Sequence, residues 1–137
     1  YEHLSELSGS TIKVDGGYPV DISSRLCDLL KMAAHNEDQE ADDVYTAFAE
    51  TARAEGFANV AQDFENIAQI ERSHSARFKK FHDLCTSGRL FSSDKPERWV
   101  CMNCGFILES EQAPQKCPVC GVDQGYYIRL EMAAWGL

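Results

Sequence analysis

The sequence lacks the features that would favour a membrane or a nucleic acid as its partner. Its 137 residues include no apolar stretch long enough to cross a bilayer. Positive charge is scarce, because 13 Lys and Arg stand against 22 Asp and Glu, and the formal net charge is -9. A chain this acidic is repelled by phosphate backbones and anionic lipid surfaces. We therefore expect neither a nucleic acid nor a membrane as a partner.

Other absences narrow the chemistry. No phosphate-cradling glycine loop, nucleotide-binding fingerprint or nucleophilic triad is present. The sequence opens at Tyr1 rather than Met and shows no signal-peptide pattern, so we expect a processed, trimmed or partial polypeptide without an export signal. Proline is absent from about residue 21 to residue 84, a region rich in Ala, Glu, Leu and Arg, which favours helices.

The composition changes near residue 92. Residues 86–98 contain the Ser, Gly, Asp and Pro that are typical of a linker. Beyond Trp99 the chain is rich in Cys, Gly, Pro and aromatic residues. We therefore predict a helical domain at residues 1–92 and a small second domain at residues 93–137.

Two helices are predicted, with Gly56 between them. Asp21 or Ser23 can cap the first helix, and Gly56 can end it. Before them, Tyr1–Leu7 is expected to be the end of an earlier helix and Ser8–Val20 an extended crossover. Each helix carries one apolar stripe with steps of three and four residues, as in a helical bundle. The stripes comprise Leu26, Leu30, Ala33, Glu37, Glu40, Val44 and Phe48, then Phe57, Val60, Phe64, Ile67, Glu71, His74, Phe78, Phe81 and Cys85.

Two polar pairs interrupt these apolar stripes. Glu37 with Glu40, and Glu71 with His74, each have the spacing that puts both side chains on one helix face. If the helices fold back at Gly56, both pairs lie at the same level, roughly 25 Å from the turn. Such pairs are commonly solvated surface groups, but carboxylates inside a bundle are costly unless cations neutralise them. We favour metal ligation, because the two pairs are level with each other on the stripes.

Four of the six cysteines form two Cys-x-x-Cys pairs. Cys101 and Cys104 are followed by Cys117 and Cys120, each pair leading into a glycine. Two such loops can close a tetrahedral four-sulfur site for zinc or iron. Zinc would make the site a structural clip, whereas iron would make it a one-electron carrier. Aromatic residues that could shelter this site are Trp99, Phe106, Tyr126 and Tyr127.

The remaining two cysteines and one tyrosine carry weaker signals. Cys27 and Cys85 each lie 29 residues from Gly56. Because Cys27 is off the inward stripe, we expect both thiols to be reduced and packed. Tyr45 follows Glu40 by five residues, and is either a hydrogen-bond partner of a ligand carboxylate or an ordinary bundle tyrosine.

Together these segments resemble the rubrerythrin family, and the resemblance covers about residues 18–137. Tyr45–Phe57 resembles the third bundle helix of that family up to its turn, and Ile70–Phe78 resembles the Glu-x-x-His motif of its fourth helix. Arg98–Phe106 and Ala113–Cys120 resemble its rubredoxin-like tail. Each motif is modest alone, but their order and spacing together are specific.

The resemblance implies a mainly α fold: a ferritin-like four-helix bundle with a diiron site, then a small β-rich rubredoxin-like domain with an Fe(Cys)4 centre. It implies reduction of hydrogen peroxide to water in oxidative-stress defence, with electrons passing from the Fe(Cys)4 centre to the diiron centre. The resemblance assigns roles to nine residues. Glu37, Glu40, Glu71 and His74 would be diiron ligands, Tyr45 would lie near that site, and Cys101, Cys104, Cys117 and Cys120 would hold the second iron.

The resemblance also implies partners and a location. The tail of one subunit would lie near the diiron site of another, which implies a dimer, and a rubredoxin or an NAD(P)H-dependent reductase would supply electrons in the cytoplasm. Family members carry two further helices ahead of this region, with another Glu and another Glu-x-x-His. This chain would supply one helical hairpin, and the missing half would come from a second copy or from a complementary chain or fragment.

Two other functions stay open from the residues themselves. A ferritin-like protein that oxidises or stores iron would explain the bundle but leaves the cysteine-rich tail without a purpose. A zinc-ribbon protein whose hairpin only mediates assembly would hold zinc in the tail and no metal at Glu71 and His74.

Overall fold

The computed structural model describes residues 15–134 and shows a helical region followed by a small antiparallel sheet, as predicted. The chain separates into two compact units, Tyr1–His82 and Asp83–Leu137, here called the helical unit and the β unit. The boundary near residue 92 stays a prediction of the sequence. The elements are α1 (Leu26–Gln39), α2 (Thr46–Ala54), α3 (Ala58–Thr86), β1 (Ser92–Cys101), β2 (Ile107–Gln112) and β3 (Tyr127–Arg129).

Two predictions concern the start of the chain. The early helix expected at Tyr1–Leu7 lies outside the described residues, as does most of the crossover expected at Ser8–Val20. Residues 15–20, the described part of that crossover, have no regular secondary structure and are exposed. Over residues 15–134, no helix is both long and apolar enough to cross a bilayer.

Gly56 ends the first helical arm, as predicted. Its N–H donates to the Arg53 carbonyl at 3.2 Å, and the Phe57 N–H donates to the Ala52 carbonyl at 2.8 Å. These two bonds close the last turn of the arm and require a left-handed residue between them, which is Gly56 with φ +88°. The chain then reverses into α3.

The first arm differs from the predicted uniform α-helix. It begins at Leu26 with Arg25 at its N-cap and no side-chain cap, so the prediction that Asp21 or Ser23 caps it is wrong. The Ser23 hydroxyl instead accepts a hydrogen bond from the Arg25 N–H at 3.0 Å, before the helix begins. Between α1 and α2 the backbone forms a π-helix over Glu40–Tyr45. The Thr46 hydroxyl donates to the Ala41 carbonyl at 2.9 Å and so supports this wider turn.

The two arms bury only small side chains, although large residues of the predicted stripes also meet across them: the rings of Phe48 and Phe64 lie 5.4 Å apart. Among the described residues, every buried position of the helical unit is Ala or Ser: Ala34, Ala41, Ala49, Ala52, Ala61, Ala68 and Ser75. The large residues of the stripes remain half-buried or exposed, and Phe48 and Phe57 are 50% and 52% exposed. A hairpin has only two helices, so it buries the row between them and leaves the bundle-facing row open. The sequence predicts stripes that face the core of a four-helix bundle of which this chain supplies half, and that expectation stays a prediction.

The β unit has a conventional packed core. Its sheet has the order β2-β1-β3, with β1 antiparallel to both neighbours. Trp99 is fully buried at its centre and donates its Nε1–H to the Ser110 carbonyl at 2.9 Å. The guanidinium of Arg129 lies 4.8 Å from the centre of the Trp99 ring. Cys101, Ala113, Cys117 and Tyr127 complete this core cluster.

The linker predicted at residues 86–98 is wrong for its second half, because β1 already begins at Ser92. The pairing of β1 with β2 shifts register between Ser92 and Glu97, so Pro96 lies within an irregular stretch of the strand. Proline has no N–H for the ladder and is tolerated in strands at such irregularities. The proline that suggested a linker therefore lies at an irregularity within a strand.

Candidate metal centres

Three of the predicted ligands meet on the helical hairpin. Glu37 on α1 and Glu71 and His74 on α3 offer ligand atoms that all lie within 4.8 Å of one another. His74 Nδ1 lies 2.7 Å from Glu71 Oε2 and 3.4 Å from Glu37 Oε2. The side chains of Glu37, Glu71 and His74 are 22%, 13% and 33% exposed, so the group is partly open to solvent.

The electrostatics of this group favour a bound cation. Burial raises the pKa of Glu37, and the hydrogen bond and charge of Glu71 raise it further, while His74 opposes the shift. Two carboxyl groups are thus held close enough that they compete for a proton, and a divalent cation removes that competition. Carboxylate oxygens and an imidazole nitrogen suit iron and similar first-row metals. The three residues therefore fit one half of a two-metal carboxylate site.

Glu40 and Tyr45 occupy the two ends of the π-helix. Within residues 15–134, Glu40 does not belong to the cluster of ligand atoms and is exposed. Glu40 closes α1 in α-helical geometry, with its N–H bonded to the Asn36 and Glu37 carbonyls, so the three-residue step from Glu37 is intact but does not bring its carboxylate into the cluster. Tyr45 is half-buried, and burial followed by the charges of Glu40, Glu71 and Glu37 raises its pKa. The ligand role of Glu40 and the role of Tyr45 stay predictions.

Sequence reasoning missed a clamp beside this site. The buried Ser75 hydroxyl lies 2.6 Å from Asp38 Oδ1, to which it donates, and 3.2 Å from the Ala34 carbonyl. Lys79 forms an ion pair with Asp38 at 2.8 Å. Asp38 and Ser75 directly follow the candidate ligands Glu37 and His74, so these bonds fix the heights of the two ligands. Their adjacency to the ligands was the one available signal, and both residues lie off the apolar stripes.

The four paired cysteines form a compact group in the β unit. Their Sγ atoms all lie within 4.8 Å of one another. The Sγ atoms of Cys101 and Cys120 are 3.8 Å apart, and those of Cys104 and Cys117 are 3.7 Å apart. Sulfurs bound tetrahedrally at about 2.3 Å from a metal are separated by about 3.8 Å, whereas a disulfide bond would be about 2.05 Å. The arrangement therefore fits a tetrahedral metal and excludes disulfides among these four.

The two cysteine loops are built alike, sixteen residues apart. In each loop the N–H of the first cysteine donates to the carbonyl five residues later, at 2.9 and 2.8 Å, and a glycine N–H donates back to that cysteine's carbonyl, at 2.8 and 2.9 Å. Both glycines have positive φ, at +79° and +78°, which a side chain would strain. The groups are Cys101 with Phe106 and Gly105, and Cys117 with Val122 and Gly121.

Hydrogen bonds to the sulfurs favour thiolates at two of the four positions. Burial opposes ionisation of Cys117, but the Tyr127 hydroxyl and backbone N–H groups lower its pKa to about 6. The Asn103 side chain and then the Val122 N–H lower the pKa of Cys120. At Cys104 the Phe106 N–H acts in the same direction, but burial and the other three cysteines outweigh it and raise the pKa to about 12. Thiolates are the form that binds metals.

The prediction for the two isolated cysteines is wrong. Cys27 and Cys85 are both disulfide-bonded rather than reduced. The argument against pairing was that Cys27 lies off the apolar stripe of the first helix. Both cysteines lie 29 residues from Gly56, and this equal spacing was the signal that favoured pairing.

Comparisons with known proteins identify the families of both parts of the chain. The family described as "Rubrerythrin" matches residues 28–100, and the family described as "Rubrerythrin, rubredoxin-like domain" matches residues 99–128. Nigerythrin, in a structure titled as its partially reduced state, is similar over 94% of this chain and 60% of its own, with 25% identity and a TM-score of 0.50. The predicted ferritin-like helical part and rubredoxin-like β part are therefore confirmed.

Curated relatives cover nearly all of the chain. Rubrerythrin of Clostridium perfringens is 38% identical over 93% of this chain and 66% of its own length. Rubrerythrins of Porphyromonas gingivalis and Nitratidesulfovibrio vulgaris are 35% and 31% identical over 90% and 88% of this chain, and over 62% and 63% of their own lengths. The chain thus spans less than two thirds of the length of these three relatives. With a family match over more than half of its residues, the chain belongs to the rubrerythrin family.

Proposed function

We propose that this chain takes part in a non-haem diiron peroxidase that reduces hydrogen peroxide to water. One observation carries the proposal: a single chain holds both a carboxylate–histidine group and a four-thiolate group. The first has ligands suited to two-electron chemistry on oxygen, and the second is suited to one-electron transfer when it holds iron. The overall reaction consumes one peroxide, two electrons and two protons, and yields two water molecules.

The hairpin would supply half of the diiron site. Glu37, Glu71 and His74 are the ligands that the geometry supports, and Glu40 is the fourth that the family resemblance implies. The side chains of the three clustered ligands are between 13% and 33% exposed, so this side of the hairpin is open to solvent. A second copy of this chain, or a complementary chain carrying the other two helices, would close the site.

The apolar stripe beside the ligands supports this assembly. Val44, Phe48 and Phe57 are each more than a third exposed on the described hairpin. Covering such side chains contributes about 25 cal/mol per Å² of apolar surface removed from water. The partner half would thus bury the stripe and exclude water from the ligands at the same time.

The chemistry divides between the metal and the protein. Two bound irons would together supply two electrons and would act as Lewis acids toward the peroxide oxygens. Glu37, Glu71 and His74 hold and orient the cations, and the clamp of Asp38, Ser75 and Lys79 fixes their heights. Tyr45 keeps its proton at neutral pH, because burial and nearby carboxylates raise its pKa, and can therefore donate a hydrogen bond within the site.

The four cysteines would relay electrons to the diiron site from an external donor. A rubredoxin or an NAD(P)H-dependent reductase is the class of donor that the family resemblance implies. The acidic surface, with a net charge of -9, favours a donor with a basic docking face.

Metal content and solution mass test the assembly. With iron at both sites, about two irons per chain in a homodimer indicate a diiron site shared between two hairpins. About three irons per chain indicate a separate complementary half. About one zinc per chain, without visible colour, contradicts the peroxidase and supports the zinc-ribbon function.

A double substitution tests the chemistry. Glu71→Ala with His74→Ala should abolish reductant-dependent peroxide turnover while the coloured four-cysteine iron remains. The matched control is Glu50→Ala with His35→Ala, an exposed Glu and an exposed His on the same hairpin, and it should retain activity. Unchanged turnover in the Glu71/His74 variant would overturn the proposal.

A further inference from the structure

Arg129 is the one charged residue that is buried within residues 15–134. It is 7% exposed, and the other buried polar side chain in this range is the neutral Ser75. Taking a guanidinium group out of water is costly unless an opposite charge or several hydrogen bonds replace its hydration. The surroundings of Arg129 should therefore show what offsets its charge.

The direct contacts of Arg129 supply no full negative charge. Its Nη2 donates to the Arg89 carbonyl at 2.7 Å and to the Ser92 carbonyl at 2.6 Å, and both acceptors are neutral backbone groups. The guanidinium lies 4.8 Å from the centre of the Trp99 ring, whose face offers only a partial negative charge. Over the described part of the chain, no Asp or Glu forms an ion pair with Arg129.

The strand register places this cation on the face of the sheet that carries the cysteines. Arg129 on β3 lies opposite Trp99 on β1. Opposite residues of paired strands, and residues two apart within a strand, have their side chains on the same face of a sheet. Trp99 and Cys101 accordingly share a core cluster with Cys117, whereas Val100 belongs to the other cluster. The Arg129 guanidinium is therefore on the same face as Cys101.

The four-cysteine centre is the anion closest to this cation along the sheet. Trp99 and Cys101 are two residues apart, which is about 7 Å along a strand. With four thiolates, the centre keeps two negative charges around a divalent metal and one around a trivalent metal. Charges separated by roughly 10 Å still interact in a protein interior, where water and salt screen them weakly.

We propose that Arg129 is the buried counter-charge of the four-cysteine centre and raises its reduction potential. The inference rests on the proposed iron occupancy of that centre. Reduction adds one electron from the external donor to the iron, and it breaks no bond and moves no proton. The reduced centre is the more negative one, so a fixed positive charge stabilises it more than the oxidised centre. Arg129 acts at a distance and does not touch the metal.

The test compares Arg129→Gln with Arg89→Gln in the iron-loaded full chain. Both changes remove one positive charge from the β unit, but the Arg89 side chain is 49% exposed and pairs with Asp94. A redox titration followed by the visible absorption of the ferric centre should show a lower potential for Arg129→Gln. We expect about a tenfold change in the redox equilibrium, which is 59 mV for a one-electron couple. Arg89→Gln should leave the potential close to that of the wild type, because solvent screens an exposed charge.

The potential separates a charge effect from a structural one. It compares two oxidation states of the same folded variant, so a packing cost that is common to both states cancels. Raising the salt concentration from about 0.05 M to about 0.5 M should leave the difference between the wild type and Arg129→Gln in place, because ions do not reach a buried guanidinium.

Two further variants test the charge itself. Arg129→Lys keeps the positive charge and should keep a potential close to that of the wild type. Arg129→Met is neutral and of similar length, and it replaces Arg129→Gln if the amide prevents folding. In the zinc-loaded chain, which has the charge of the reduced iron centre, competition with a chelator should show about tenfold weaker zinc binding for the neutral variants than for Arg129→Lys.

The outcomes separate the inference from the proposed function. An unchanged potential in the neutral variants, or an Arg129→Lys potential as low as theirs, overturns the inference and leaves the peroxidase standing. Arg129 would then only anchor the backbone at Arg89 and Ser92. A centre that takes zinc and refuses iron overturns the peroxidase and, with it, any role of Arg129 in a potential.

Discussion

The helical unit and the β unit bury their side chains in different ways. Four of the five largest fully buried side chains of residues 15–134 belong to the β unit: Trp99, Leu130, Val100 and Cys101. The buried positions of the helical unit are all Ala or Ser over the same residues. The β unit therefore has a core of large buried side chains. The large apolar residues of the hairpin remain at its surface, where another element could cover them.

The two metal centres differ in the same way. The four cysteines come from one stretch of 20 residues, and two like loops bring their sulfurs to tetrahedral spacing. The carboxylate–histidine group draws on two helices and remains partly exposed. Tight loops can complete a site locally, but a helix offers only one or two inward ligands per level, so a helical site needs more helices.

Removing one exposed cysteine should have the largest effect and tests the claim that the β unit is completed by its metal. Cys104 is exposed, so a packing role predicts little change in Cys104→Ala. A ligand role predicts loss of the metal and collapse of the β unit, since structural four-cysteine sites contribute on the order of 10–16 kcal/mol. Metal content and thermal unfolding of the variant check this, with Met102→Ala, a half-exposed neighbour, as the control. Full metal content in Cys104→Ala would contradict a ligand role for Cys104.

Truncating one aromatic residue in each unit should give the next largest contrast. Trp99→Ala should lower the free energy of unfolding by about 3–5 kcal/mol, because a large buried side chain is lost. Phe48→Ala should cost about 1 kcal/mol, because Phe48 is half exposed. Denaturant unfolding of both variants measures the difference. Equal costs would mean that the hairpin already buries Phe48, for instance against a second copy in solution.

Ser75→Ala should have a moderate effect on the hairpin. The Ser75 hydroxyl is buried and bonds Asp38 and the Ala34 carbonyl across the two arms. Its loss should cost about 1–2 kcal/mol and weaken metal retention at Glu37 and His74. Ser73→Ala is the control, because Ser73 is exposed and its hydroxyl donates to the Ile70 carbonyl of its own helix. An equal effect of the two changes in urea unfolding would contradict a clamp role.

The sequence predicted correctly those features that depend on the local conformation of a few residues. Gly56 predicted the turn, and the two Cys-x-x-Cys-Gly loops predicted the four-sulfur group, because both depend on bonds within a few residues. Glu71 and His74 were placed together by spacing within a regular helix. These features are local, so their outcome does not depend on distant packing.

The sequence did not predict the π-helix at Glu40–Tyr45, which has no clear sequence signal and shifts the face of residues counted across it. The Ser75–Asp38 bond was invisible for another reason: it joins residues 37 positions apart, and neither lies on an apolar stripe.

The smallest predicted effect is a change in the free energy of unfolding at low pH. The hydrogen bonds from Lys79 and then Ser75 lower the pKa of Asp38 below its ordinary value of 3.8. The folded state therefore favours the carboxylate, so this stabilisation is complete above the ordinary value and disappears as the pH falls through the lowered one. Because the Asp38 side chain is 39% exposed, solvent screens the pair and the effect should be well under that of Ser75→Ala.

Urea unfolding between about pH 5 and pH 2.5 measures this term. The wild type should lose more stability over that range than Asp38→Asn, because the variant has no carboxylate to protonate. Lys79→Gln should flatten the curve in the same direction, since it removes the cation that favours the carboxylate. Added salt should reduce the difference between the curves, as for any exposed ion pair. Parallel curves for all three proteins would show that the hydroxyl of Ser75, and not the charge of Asp38, joins the two arms beside the ligands.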